Sequence, residues 1–170
     1  MIIRQFNQET DLAGLKACVI SVQDYESNLD PRMPQGSDIV DEYIPEMFEA
    51  CEHSDGKILV ADVDGDVAGY VLILNRVKSE SIDDGDLEYG LVRDLVVLED
   101  YRGKGIGGAL LRAAEAEARD SGVKWLRIEV LDANETARDL YLSKGFSPLL
   151  STLEKRLHKA QEPGHKKYCL

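Results

Sequence analysis

The spacing of apolar residues changes several times along the chain, and each change predicts an element. Residues 1–6 read as a short first strand. Leu12, Leu15, Cys18, Val19 and Val22 then recur at helical spacing, which predicts a helix capped by Thr10 and ending before Asp30 and Pro31. Pro31, Pro34 and Gly36 mark residues 28–37 as a loop. A second helix is expected after Ser37, carrying Ile39, Val40, Tyr43, Met47, Phe48 and Cys51, with Pro45 placed to kink it. From Ile58 the period falls to two: residues 58–63, the turn Asp64-Gly65 and residues 67–77 form a hairpin signature. An acidic loop, residues 79–86, leads to a long strand over 87–98 whose second half is apolar on both faces. Leu110, Leu111, Ala114 and Ala118 then place a helix up to Ser121, closed by Gly122. Residues 125–131 read as a strand, 134–144 as a helix ended by Gly145, and 146–157 as one or two short closing strands.

Composition narrows the class. A chain of 170 residues is long enough to bury a single substantial core, and 44% hydrophobic with 31% charged residues is a globular balance. No apolar run approaches the roughly 20 residues of a membrane span. A formal charge of -12 gives no general attraction to nucleic acid or to an anionic membrane, although a local basic loop can still hold a phosphorylated cofactor. Cys18, Cys51 and Cys169 lack metal-ligand spacing, so reduced thiols in a cytoplasm and no metal are expected. Residues 158–170, with Lys159, Lys166 and Lys167, read as a mobile basic tail after one domain over 1–157.

The strongest chemical signal is Arg102-Gly103-Lys104-Gly105-Ile106-Gly107-Gly108, between a buried strand and a helix start. Unpaired N–H groups and the positive end of the helix dipole attract an anion there, and glycines let the backbone approach it. Gly103, Gly105 and Gly108 also satisfy the dinucleotide-binding spacing. That fingerprint belongs directly after a first strand, whereas about a hundred residues precede it here and only about sixty follow. A kinase-type phosphate loop needs Lys-Ser or Lys-Thr after its last glycine, and Ala109-Leu110 stand there.

Residues 97–107, with Tyr101-Arg102 before the glycines, resemble the Q/R-x-x-G-x-G/A motif of the GCN5-related N-acetyltransferase (GNAT) superfamily. Asn134-Glu135-Thr136-Ala137-Arg138-Asp139-Leu140-Tyr141-Leu142-Ser143-Lys144-Gly145-Phe146 is similar to the family's later helix, N-x-x-A-x-x-L-Y-x-x-x-G-F. The resemblance implies an α/β acyl-CoA N-acyltransferase fold, a mixed, mostly antiparallel sheet with helices on both faces. It implies acetyl-CoA as donor, direct transfer to an amine of a small molecule in a ternary complex, no metal, and a homodimer.

By the same resemblance, Arg102, Gly103, Lys104, Gly105, Ile106, Gly107 and Gly108 hold the pyrophosphate, and the backbone of Leu95, Val96 and Val97 pairs with the pantetheine arm. Asn134, Ala137, Tyr141 and Lys144 form one helical stripe that can face the cofactor, with Asn134 equally suited to an N-cap. Tyr141 is implied as the acid that protonates the departing thiolate. An amine of pKa about 10.4 is neutral in only about one molecule in 2,500 at pH 7, a handicap of about 4.6 kcal/mol, so a base is needed. Several family members place a Glu on the central strand, on the face shared with Val97. Strict alternation puts Tyr89, Leu91 and Arg93 there, and Glu88 and Asp94 opposite unless a bulge intervenes. A water relay, Glu26 and Glu42 remain open as the base.

Acceptor contacts are implied at residues 25–34, chiefly Tyr25, Glu26 and Arg32, together with Tyr89 and Arg93. Carboxylates suit a polyamine or aminoglycoside, and the arginines suit an amino-acid-like acceptor. Two other readings stand: a non-catalytic acyl-CoA-binding or regulatory module, and a transferase acting on peptides or proteins.

Overall fold

A sheet whose middle strands are apolar on both faces needs a layer on each side. The computed structural model, which describes residues 1–79 and 82–157, supplies both. The strands β1 (Ile2–Gln5), β2 (Lys57–Val63), β3 (Asp66–Lys78), β4 (Glu88–Val97) and β5 (Leu126–Ile128) lie side by side in chain order. The first four pair antiparallel, and β5 runs parallel to β4. Helices α1 (Gln8–Leu29) and α2 (Gly36–His53) cover one face, and α3 (Ile106–Asp120) and α4 (Glu135–Ser143) cover the other. This is the mixed, mostly antiparallel architecture that the sequence predicts. No helix among the described residues is long and apolar enough to cross a membrane.

Strand alternation feeds two cores. Val60, Tyr70, Leu72 and Val96 pack against Leu15, Cys18 and Val19 of α1 and Val40, Ile44 and Met47 of α2. Leu59, Ala61, Val71, Ile73 and Val92 face Ile106, Leu110, Leu111 and Ala114 of α3 and Tyr141 of α4. Each fully buried Leu or Ile contributes about 1.5–3 kcal/mol, so the central strand β3, buried on both faces, anchors the molecule.

The first helix starts earlier than Thr10. Asn7 is extended, and its side-chain oxygen accepts the Glu9 N–H at 2.9 Å, which makes Asn7 the cap. Thr10 lies inside the first turn and gives its hydroxyl to Asp11. Asp11, 2% exposed, also accepts the Asn7 N–H at 2.8 Å and the Arg4 guanidinium at 2.6 Å, while Arg4 reaches Asp62 at 2.9 Å. One cation thus joins β1, β2 and α1. Pro45 sits on the exposed side of α2, which runs through it, and α2 begins at Gly36 rather than after Ser37.

Two expected strands differ. The segment expected over 125–131 pairs only over Leu126–Ile128, and Trp125 is exposed. No closing strand forms over 146–157 among the described residues: Leu149, Leu150, Leu153 and Leu157 are all exposed, and Pro148 has no N–H to give a ladder. The basic tail at 158–170 lies outside the described residues.

Candidate active site

The site begins where β4 and β5 part. Their parallel pairing covers Gly90–Leu126, Leu91–Arg127 and Val92–Ile128 and then stops, while β4 continues to Val97 with only β3 beside it. The Leu98 N–H donates to Ala68 on β3, so alternation turns the main-chain groups of Val97 and Leu95 outward, to the side β5 has left. The Val97 carbonyl accepts from Arg102 Nε at 3.0 Å, and the outward groups of Leu95 have no backbone partner among the described residues. The opening is a cleft of about 130 Å³ lined in part by Leu95, Val96, Asn134, Ala137 and Tyr141.

At one end of β4, a single turn at 99–101 leads into the glycine segment. Gly103 and Gly105 adopt φ of 74° and 79°, which costs an L-residue about 1–2 kcal/mol and costs glycine nothing comparable. Gly105 then opens α3 with no side-chain cap, and the first N–H to find a helical carbonyl is that of Ala109, bonded to Gly105 at 3.1 Å. The N–H groups of Ile106, Gly107 and Gly108 are left for an anion.

Cations surround this end. The Arg102 guanidinium lies 5.9 Å over the ring of Tyr25, and Lys104 Nζ donates to the Asp100 carbonyl at 3.0 Å and stands over Tyr101. A Cβ built on Gly108 would lie 3.6 Å from Arg112 Nη1 and 3.9 Å from Lys144 Nζ. Arg112 was not singled out from the sequence, although its place one turn after Gly108 on α3 is the signal that would have found it.

The cleft itself is acidic. Glu26, near the end of α1, and Asp94 of β4 both line it. Asp94 accepts from the Tyr43 hydroxyl at 3.0 and 3.1 Å and from the Tyr70 hydroxyl at 2.9 Å. Burial raises the Asp94 carboxyl above its ordinary range, against the two tyrosines and Arg93, which favour the charged form. Burial, and then the Asp94 charge, also raises Glu26. Tyr141, 8% exposed on α4, is pushed up to about 12 by burial and then by Glu26 and Asp94. Its hydroxyl has no hydrogen-bond partner among the described residues. Asn134 lines the cleft and is also the α4 cap, accepting the Ala137 N–H at 3.2 Å.

Strict alternation along β4 does not hold. The register passes from Leu72–Asp94 to Ile73–Val92, so Arg93 is an extra residue, and the bulge reverses the faces below it. Leu91 therefore packs toward α1 and α2, and Arg93 pairs with Glu46 of α2 at 2.6 Å and stacks on Tyr43. Asp94 keeps the face of Val96 and reaches the cleft from there. Tyr89 stacks against Arg127 at 3.9 Å and is not among the lining residues, and Arg32 is exposed and held by Asp30 at 2.5 Å and Glu154 at 2.7 Å. Glu42 is exposed and outside the cleft, so of the two glutamates open as the base only Glu26 lines it.

The acetyltransferase (GNAT) family matches residues 23–146, which include most of the cleft lining, the glycine segment and α4. The chain belongs to this family. The mycothiol acetyltransferase of Nocardiopsis dassonvillei is 31% identical over 113 residues, 66% of this chain and 34% of that one. Among the curated relatives it matches, the chain spans from 30% to 61% of their length. The BH1408 protein of Bacillus halodurans, solved as a tetramutant, superimposes with a TM-score of 0.74 at 22% identity, covering 92% of this chain and all (100%) of that one. An aminoglycoside N-acetyltransferase solved with CoA shares the fold at a TM-score of 0.64 and 15% identity, covering 93% and 100% of the two chains.

Proposed function

We propose that this GNAT protein is an N-acetyltransferase that carries the acetyl group of acetyl-CoA directly to a primary amine of a small molecule, with both substrates bound together. The observation that carries the reading is a cleft lined by Leu95 and Tyr141 along the stretch of β4 that β5 has left, a strand that runs on through Val97 and the turn at 99–101 to the free N–H groups at the start of α3. An extended amide-bearing arm can add to β4 as a strand would, and a diphosphate suits the N–H groups of Ile106, Gly107 and Gly108 with Arg102, Lys104, Arg112 and Lys144 around them. A curated relative named mycothiol acetyltransferase supports a small-molecule acceptor.

Tyr141 is suited to the acid role. A phenol held at about 12 keeps its proton at neutral pH and so is present as a donor. Passing it to a thiolate of ordinary pKa about 8.5 is uphill, and is drawn forward by the buried cleft, which disfavours a charged sulfur, and by the acidic N–H of the adduct, which returns a proton to the hydroxyl. The test is CoA release by the purified protein against polyamines, aminoglycosides, amino acids and peptide N-termini, with acetyl-CoA binding followed by calorimetry. Turnover on a small amine is the expected result. Binding without turnover on any of them would favour a non-catalytic acyl-CoA-binding module, and turnover on peptides alone would favour a protein acetyltransferase.

A further inference from the structure

The acceptor end of the cleft holds negative charge with no cation to spare. Glu26 and Asp94 line it, and Glu129, just past β5, adds an exposed third carboxylate. Arg93 is the only Lys, Arg or His among the lining residues, and its guanidinium is committed to Glu46 at 2.6 Å and to the ring of Tyr43 at 5.4 Å. Arg32, the other arginine a carboxylate-bearing acceptor would use, is occupied by Asp30 and Glu154 away from the cleft. An acceptor carboxylate would therefore meet like charge without a partner, whereas an ammonium meets opposite charge.

The two inner carboxylates are not equivalent. Both Asp94 oxygens already accept tyrosine hydroxyls, which fixes the group and leaves it poorly placed to take another proton. The Glu26 carboxylate has no hydrogen bond or ion pair among the described residues, lines the same cleft as Tyr141, and is free to receive a proton. We propose that Glu26 is the general base of the transfer, and that the acceptor is a cationic amine without a carboxylate, of the alkyl diamine or polyamine class. This rests on the acetyltransferase reading above.

In the step, the ammonium gives one proton to Glu26 and the freed nitrogen attacks the thioester carbon. The N–C bond forms and the C–S bond breaks. The sulfur takes the Tyr141 proton, the second proton lost by the nitrogen restores that hydroxyl, and Glu26 releases its own to solvent. Desolvation and then the neighbouring Asp94 charge raise the Glu26 carboxyl above its ordinary range, which makes its carboxylate a stronger base. The groups that set this environment are Asp94 and Arg93 on β4, Tyr43 and Glu46 on α2, Tyr70 on β3, Tyr141 on α4 and Glu129 beyond β5.

The experiment compares matched acceptors that differ by a carboxylate, putrescine with ornithine and phenethylamine with phenylalanine, for wild type and Glu26→Gln, with acetyl-CoA binding measured separately. The expected result is a preference of about tenfold or more in kcat/KM for the amine of each pair. In E26Q, kcat should fall about 100-fold or more, the acid limb of the pH profile should disappear, and acetyl-CoA affinity should be unchanged. Equal or better use of the amino acids, or an acid limb that survives in E26Q, would overturn the proposal while leaving the acetyltransferase reading standing. Acetyl-CoA binding with no turnover on any of the four would also overturn the acceptor class. Failure to bind acetyl-CoA would instead remove the reading beneath it.

Discussion

Tyr141 and Asp11 are two buried polar residues whose environments move their protons in opposite directions, with opposite consequences when changed. Tyr141→Phe removes one oxygen from the cleft wall and keeps the ring against Phe146, 6.1 Å away, so the fold should tolerate it. The expected outcome is a kcat reduced about 10- to 100-fold with acetyl-CoA affinity unchanged by calorimetry; an unaltered kcat across pH would remove Tyr141 as the acid. Asp11 is lowered from 3.8 to about 2, first by the Arg4 hydrogen bond, so its contribution is complete above the ordinary carboxylate range and is lost as pH falls from near 4 through 2. Asp11→Asn should cost about 2–3 kcal/mol in urea unfolding at pH 7, and less as the pH is lowered through that window. Glu26 has the reverse sign. Its raised carboxyl favours the folded state when protonated, and that stabilisation is lost as pH rises through the raised value. Glu26→Gln should therefore unfold at a slightly higher temperature than wild type at pH 7, a gain in stability that accompanies the loss of turnover.

At the scale of elements, the cleft depends on how closely β3 and β4 approach. A Cβ on Gly69 would lie 2.3 Å from the Val96 carbonyl oxygen and 3.1 Å from Val97 Cα, both backbone atoms of the strand proposed to pair with the donor. Gly69→Ala must displace β4, which should cost about 1–3 kcal/mol and raise the KM for acetyl-CoA; unchanged values for both would show that this edge can shift freely. The close approach was not readable from sequence, because Gly69 looks like any glycine within an apolar strand. The glycine segment was readable, since Gly103 and Gly105 stand where a strand must turn into a helix, and so were the stripes of α1, α3 and α4, whose period survives any tertiary arrangement. Arg93 and Asp94 were not. One extra residue in β4 reverses the face of everything below it, and the bulge at Arg93 carries no glycine or proline that would mark it in the sequence. The expected strand over 146–157 failed for a related reason: Leu149, Leu150 and Leu153 give strand-like composition, but composition does not supply a partner.

At the scale of the whole molecule, the proposed reaction asks the charge distribution to serve two substrates of opposite sign. The chain carries -12, which repels a phosphorylated donor at long range and attracts a polycation. In the proposed reading the donor is drawn in only near the start of α3, where Arg102, Lys104, Arg112 and Lys144 lie around free N–H groups. Salt should act differently on the two. Raising it from about 50 to about 500 mM shortens the Debye length from more than 10 Å to less than 5 Å. That removes both the long-range attraction for a polyamine and the long-range repulsion of acetyl-CoA, leaving the donor's short contacts partly intact. The expected outcome is a several-fold rise in the KM for putrescine, and a smaller change for acetyl-CoA because its gains and losses offset. Steady-state kinetics at several ionic strengths with one fixed counterion would show it. An acetyl-CoA KM that rises as steeply as that of the amine would mean that the four cations, rather than the backbone N–H groups, carry donor binding. A putrescine KM that salt does not move would mean that Glu26 and Asp94 act only at contact, with no help from the acidic surface around them.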